Sequence, residues 1–160
     1  MRGVFAIVKN KAAITWIETG KDPSGLGRWV WTRHRGKNNI TLYRTCIPNN
    51  SLGQHTIHKQ QLRYLSREKD DRSPRQALLE DLAEDIKQAQ ASGDQIILMI
   101  DLNEHVRSPA IIEFAEGFHL REAITERHTG REGFAPTHQR GSHPIDGIFI
   151  SSTLHIQNGG

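Results

Sequence analysis

The chain has 160 residues, of which 36% are hydrophobic and 24% charged. These values fit one globular domain able to bury a sizeable core and exclude a disordered chain. The net charge of +3 is unevenly spread: residues 1–75 carry 15 Lys and Arg against 5 Asp and Glu, while residues 76–160 carry 6 against 13. A basic first half points to a polyanion partner and an acidic second half to cation sites, unless the two faces simply attract each other across the fold.

Val4–Val8 and Ala13–Glu18 read as strands, with Lys9-Asn10-Lys11 as a hairpin turn between them. No apolar run approaches the roughly 20 residues that cross a bilayer. The opening stretch also lacks the apolar core and small-residue cleavage site of a secretory signal, so the expectation is an intracellular protein with no membrane segment. Lys21–Gly27 is rich in turn formers. Arg28–Arg33 and Ile40–Thr45 then read as a strand pair around Gly36-Lys37-Asn38-Asn39. Trp29 and Trp31 fall on one face of their strand and read as packing residues rather than as a base-stacking platform. Cys46 is the only cysteine, which excludes an internal disulfide and a cysteine-rich zinc site.

Thr56–Arg67 reads as a helix, and Pro74–Ala91 as the clearest one. Ser73 stands at its N-cap, Pro74 at the first helical position, and Gln76 where a capping box would close. Leu78, Leu79, Leu82, Ala83 and Ile86 recur at helical spacing, which leaves Glu80, Asp81, Glu84 and Asp85 as a solvated acidic face. After Gly93 comes Gln95–Ile100, an apolar run read as a strand buried on both faces. Ser108-Pro109 starts a helix through Glu116 that Gly117 stops, and a shorter helical stretch is expected near Arg121–Arg127. Thr129–Gly141 reads as loop and Ile145–Ser151 as a last strand. The order fits a layered mixed α/β or α+β domain without repeats or linkers.

Three stretches could carry chemistry. Tyr43-Arg44-Thr45-Cys46-Ile47-Pro48-Asn49 ends a strand with a phenol and a guanidinium suited to phosphate oxygens. Asp101-Leu102-Asn103 ends the apolar strand with a carboxylate and an amide two positions apart, which in an extended segment point the same way. Ser142-His143-Pro144-Ile145-Asp146 delivers a carboxylate into an apolar strand, where it is costly unless something pairs with it. Each has an ordinary alternative, a strand exit or a capping carboxylate.

GDQIILMIDLNEH resembles the Gly-Asp-Phe-Asn motif of the endonuclease/exonuclease/phosphatase superfamily, the exonuclease III-like and deoxyribonuclease I-like enzymes. PTHQRGSHPIDGIFIS resembles that family's Ser-x-Ile-Asp-Tyr-Ile strand. GLGRWVWTRHRGKNNITLYRTCIPNN with KQQLRYL resembles its middle strand and Tyr-x-Pro turn, in the style of members linked to mobile elements and reverse transcriptases.

The resemblance implies a partial four-layer α/β/β/α sandwich and a Mg²⁺- or Mn²⁺-dependent phosphodiesterase acting on nucleic acid, DNA by preference. It also implies an association with a reverse transcriptase through a longer parent protein. Residue by residue, Asp101 matches the carboxylate that handles the attacking water or leaving oxygen and touches the metal. Asn103 matches the amide on the scissile phosphate, Asp146 the carboxylate that orients a histidine, and Tyr43 the tyrosine near the phosphate. Arg44, Asn49, Ser142 and His143 fall where substrate contacts are expected.

The family's metal-binding Glu block and its Ser-Asp-His block have no counterpart in the chain; His155 has no Asp before it. The expectation is therefore a single, incomplete domain over residues 1–160, with weak or absent activity. Two other readings stay open. One is a carboxylate-cluster nuclease of another fold using Asp101, Glu104 and Asp146. The other is a non-catalytic nucleic-acid binder whose affinity ignores Asp101. A zinc site is disfavoured, because His138 and His143 have no partner pair at ligand spacing.

Overall fold

The structure, a computed structural model, describes residues 3–51, 53–124, 136–137 and 141–157. Its elements are α1 (Lys11–Thr15), β1 (Trp16–Lys21), β2 (Trp29–His34), β3 (Ile40–Cys46), α2 (Ile57–Arg67), α3 (Pro74–Ala91), β4 (Gln95–Asp101), α4 (Pro109–Gly117), β5 (Leu120–Glu122) and β6 (Asp146–Ser151). The strands form a six-stranded sheet in the order β1-β2-β3-β4-β6-β5. Only β3 and β4 are parallel; the other neighbours are antiparallel. That parallel step needs a long crossover, and α2 and α3 supply it.

The expected α/β class holds. Of the expected four layers, the described residues supply one sheet and the helices against it. Because cross-strand partners share a face, the register sorts the two sides. Trp31, Tyr43, Leu98 and Phe149 form one row on the helix side, and Trp29, Thr45 and Ile100 the next. The buried Leu78, Leu82 and Ile86 of α3 pack there. Both tryptophans are thus packing residues, and Trp31 lies so close over Gly20 that a Cβ there would meet the indole at 2.3 Å.

Polar groups anchor the layers. Asp22, 1% exposed, takes the N–H of Arg28 at 3.1 Å and its guanidinium at 2.8 and 2.9 Å; the same guanidinium reaches Asp81 at 2.8 Å. Burial pushes the Asp22 carboxyl up, but the bonds from Arg28 and Ser24 outweigh it and hold the group below the usual carboxylate range. Asp85 accepts from Trp29 Nε1 at 3.0 Å and from the Tyr43 hydroxyl at 2.9 Å. The acidic side of α3 is therefore not simply solvated. Asp81 and Asp85 turn to the sheet, where buried donors need acceptors.

Several local expectations differ. Val4–Val8 alternates in burial as a strand would, but it joins no ladder; Val4 N–H bonds to Gly27 C=O at 3.1 Å. The Lys9–Lys11 turn opens a helix, not a hairpin. Asn10 takes a left-handed φ of 57°, and Lys-Ala-Ala-Ile-Thr coils into α1, so β1 begins only at Trp16. Ser73 caps α3 by accepting from Gln76 N–H at 3.2 Å, yet the box does not close, because the Gln76 amide donates to Glu80. The helix expected near Arg121–Arg127 yields its first two residues to β5, which pairs with β6, and the chain turns helical at Ala123 and Ile124; its last residues, like most of Thr129–Gly141, lie outside the described residues. No helix among the described residues is long and apolar enough to cross a membrane.

Candidate active site

The last residues of β3 and β4 and the first residue of β6 meet in one row. Cys46 pairs with Asp101 across the parallel step, and Asp101 pairs with Asp146 across the antiparallel one. Alternation puts these side chains on the face opposite α3. The strand that stops on Asp101 thus delivers its carboxylate beside two polar side chains at one end of the sheet's inner strands.

The turn after β4 fixes this group. Asn103 takes a left-handed φ of 50°, which asparagine tolerates. Its N–H donates to Asp101 Oδ1 at 3.1 Å, and its Nδ2 to Ile47 C=O at 2.7 Å, with Cys46 Sγ at 3.9 Å. The carboxylate and amide therefore converge through a tight turn rather than through the extended spacing expected for them. Cys46 donates to Asp101 Oδ2 at 3.3 Å. Burial, then the charge of Asp101 and this hydrogen bond, then Asp146, push the thiol up to about 12.

The loop before β6 runs beside that turn. Leu102 N–H bonds to Ile145 C=O at 2.8 Å and Val106 N–H to Pro144 C=O at 3.1 Å. His105 and His143 stack with ring centroids 5.3 Å apart. Ser142 Oγ lies 2.9 Å from His143 Nδ1, and Thr137 Oγ1 accepts from the N–H groups of Ile145 and Asp146.

The predicted residues divide accordingly. Asp101, Asn103 and Asp146 come together, with Ser142 and His143 on the adjoining loop. Arg44 shares their face one pleat back from Cys46, with Nη1 buried and unpartnered among the described residues. Asn49 is exposed in the loop after β3. Tyr43 is not part of the group, which corrects its expected catalytic place. It is fully buried on the α3 side, and burial, then the Asp85 charge, push its phenol far above the ordinary range. Cys46, three residues further along β3, faces Asp101 instead. Cys46, His105 and Thr137 went unassigned from sequence.

Glu104 does not join the carboxylates. Its Oε1 accepts from Arg75 and, at 2.6 Å, from Ser108, whose hydroxyl consequently makes no cap bond to α4. The Asp101–Glu104–Asp146 cluster is thereby contradicted, and His138 lies outside the described residues. Among the described residues no group of three His, Cys, Asp or Glu could hold a metal. Two carboxylates remain adjacent, with no ion pair to either among the described residues. Such a pair of hard oxygen donors fits Mg²⁺ or Mn²⁺, which keep several waters, and fits zinc poorly.

No family model matches the chain, and no curated protein matches it. Among solved structures it is similar to the human Nocturnin catalytic domain with bound sulfate anion, at 15% identity and a TM-score of 0.49, over 78% of this chain and 41% of that one. It is also similar to beta toxin 275-280 from Staphylococcus aureus, at 12% identity and a TM-score of 0.39, over 78% of this chain and 42% of that one. The chain spans about two-fifths of the length of each. At these scores neither likeness bears on function, and the class rests on the sheet itself: a mixed α/β domain with a polar row at the ends of its inner strands.

Proposed function

We propose that the Asp101–Asp146 row is the centre of a divalent-cation-dependent phosphodiesterase of the endonuclease/exonuclease/phosphatase type, acting on nucleic acid and on DNA by preference. One observation carries this reading. Like charges directly opposite each other across an antiparallel pair destabilise a sheet, and Asp101 and Asp146 stand so with no cationic side chain paired to them among the described residues. A pair of carboxylates placed so suits a divalent cation with hard oxygen ligands.

Asp101 and Asp146 would hold the ion, which supplies charge neutralisation on the phosphate and favours ionisation of a bound water. The chain's own groups do the rest. Asp101, oriented by Asn103 N–H and the Cys46 thiol, accepts the proton of the attacking water. Asn103 is held by Ile47 C=O, and its remaining N–H donates to a non-bridging phosphate oxygen, where developing charge strengthens the bond. The Arg44 guanidinium, with an unpartnered Nη1, offers a second donor on the same face. Ser142 and His143 border the substrate. With two carboxylates converging, the rate is expected to be low. The mobile-element resemblance extends the proposal to work beside a reverse transcriptase in a longer parent protein.

Nicking of supercoiled plasmid by the purified chain tests it. Nicking with Mg²⁺ or Mn²⁺ that stops in EDTA and in Asp101→Ala supports hydrolysis. DNA binding without metal-dependent nicking would leave a binding protein and reject the catalytic reading.

A further inference from the structure

The arginines that anchor the fold are all tied to carboxylates: Arg28 to Asp22, Arg33 to Asp94, Arg72 to Asp70 and Arg75 to Glu104. Helix α2 differs. Thr56 caps it, Gln61 and Leu65 bury its inner face, and no acidic residue occurs within Ile57–Arg67. Glu68 follows only at its C-cap. Lys59, Arg63 and Arg67 repeat every fourth residue, so they form one stripe. None makes an ion pair among the described residues. Beside them lies a groove of about 510 Å³, which Gln54, Leu62 and Ser66 also line.

We infer that this face of α2 is a docking surface for the phosphate backbone of a nucleic acid. At 1.5 Å of rise per residue the three cations span about 12 Å. Charges strung along a line suit a polymer of phosphates, whereas a single phosphate would need cations that converge. Nothing acidic within the helix neutralises the stripe, so the charge is available to release counterions from a polyanion. The amide of Gln54 and hydroxyl of Ser66 add neutral donors of the type that position a backbone. A lipid surface fits less well, because a helix lying in a membrane needs a broad apolar face outward, whereas here Leu65 is turned to the core and the outer face offers only the part-exposed Ile57 and Leu62. The claim that the docked polymer is a substrate rests on the proposed hydrolytic site; the docking does not.

The test measures binding of a short fluorescent DNA duplex to the full chain by anisotropy, in EDTA and across a salt series. The combined variant Lys59→Gln, Arg63→Gln, Arg67→Gln should lose about tenfold or more in affinity at low salt. The slope of log affinity against log salt should shrink by about 2.7, the value for three phosphate contacts. The charge-keeping set Lys59→Arg, Arg63→Lys, Arg67→Lys should restore binding, which separates charge from folding. Removing three exposed charges elsewhere, with Lys9→Gln, Lys11→Gln and Lys37→Gln, should leave the affinity nearly unchanged. An α2 variant that binds as tightly as the original overturns the inference, as does an equal loss in the second set. Capture by phosphatidylserine vesicles without DNA binding overturns it too. If nicking fails while α2-dependent binding persists, only the hydrolytic reading falls; nicking with binding indifferent to α2 rejects the docking alone.

Discussion

Asp101 and Asp146 are cross-strand partners, the last residue of β4 facing the first of β6, with the Cys46 thiol bonded to Asp101 Oδ2 at 3.3 Å. Relieving this like-charge pair should have opposite effects on stability and on activity. Asp146→Asn is expected to stabilise the metal-free protein by about 0.5 kcal/mol in urea titrations. The same change should remove the rise in Tm that Mg²⁺ gives the original chain and lower plasmid nicking by orders of magnitude.

The Cys46 thiol reports on the same row. Pushed up to about 12 by burial and by the carboxylates, it is almost wholly protonated at pH 8, and the thiolate is the reactive form. Alkylation by iodoacetamide should therefore be slow at pH 8. In Asp101→Asn the negative neighbour is gone, so the pKa falls and alkylation should accelerate. An unchanged rate would show that burial alone silences the thiol.

Tyr43 separates structure from catalysis. Its hydroxyl donates to Asp85 on α3 and lies on the other face of the sheet from Asp101. Tyr43→Phe should destabilise the fold by about 1–2 kcal/mol, the usual cost of removing one partner from a buried hydrogen bond. The nicking rate of folded protein should not move. A loss of nicking with unchanged stability would return Tyr43 to the site.

The Asp22–Arg28 pair anchors the loop between β1 and β2 and ties it to α3. Arg28→Ala leaves a carboxylate that is 1% exposed without its partner and should cost about 3–5 kcal/mol. Arg28→Lys recovers charge but not the two-pronged bond. It should fall between, as read from urea midpoints.

Acid sensitivity follows from the lowered carboxyls. Asp22 is held below the usual range, and Asp70 lies at about 2, mainly through its hydrogen bonds from Arg72. A depressed folded pKa contributes stability above the unfolded value, about 3.9 for Asp. That contribution disappears as pH falls through the folded value. The urea midpoint should hold between pH 7 and about pH 5 and decline below pH 4. Asp22→Asn and Asp70→Asn should each flatten the decline.

Much of this protein could be read along the chain. Local rules placed α3, α4, β2, β3, β4 and β6 within a residue or two, because the start signals Ser73-Pro74 and Ser108-Pro109 and the apolar run Gln95–Ile100 act within a few residues. The same rules failed at Ala13–Glu18, where alanines favour a helical turn once Asn10 turns left-handed, and at Arg121, where pairing with β6 overrides local preference. Asp101 and Asn103 were legible because a polar stop to an apolar strand is a sequential feature. Face and partnership were not. Tyr43 and Cys46 lie three residues apart on one strand, and only the register with β4 shows that one points to α3 and the other to Asp101. Glu104, a carboxylate three residues from Asp101, is taken by Arg75 and Ser108. The sequence by itself determined which residue types stand at which strand ends. The tertiary structure decided which of them meet, because a carboxylate's role depends on the groups brought beside it by strand pairing, and those come from 45 to 55 residues away.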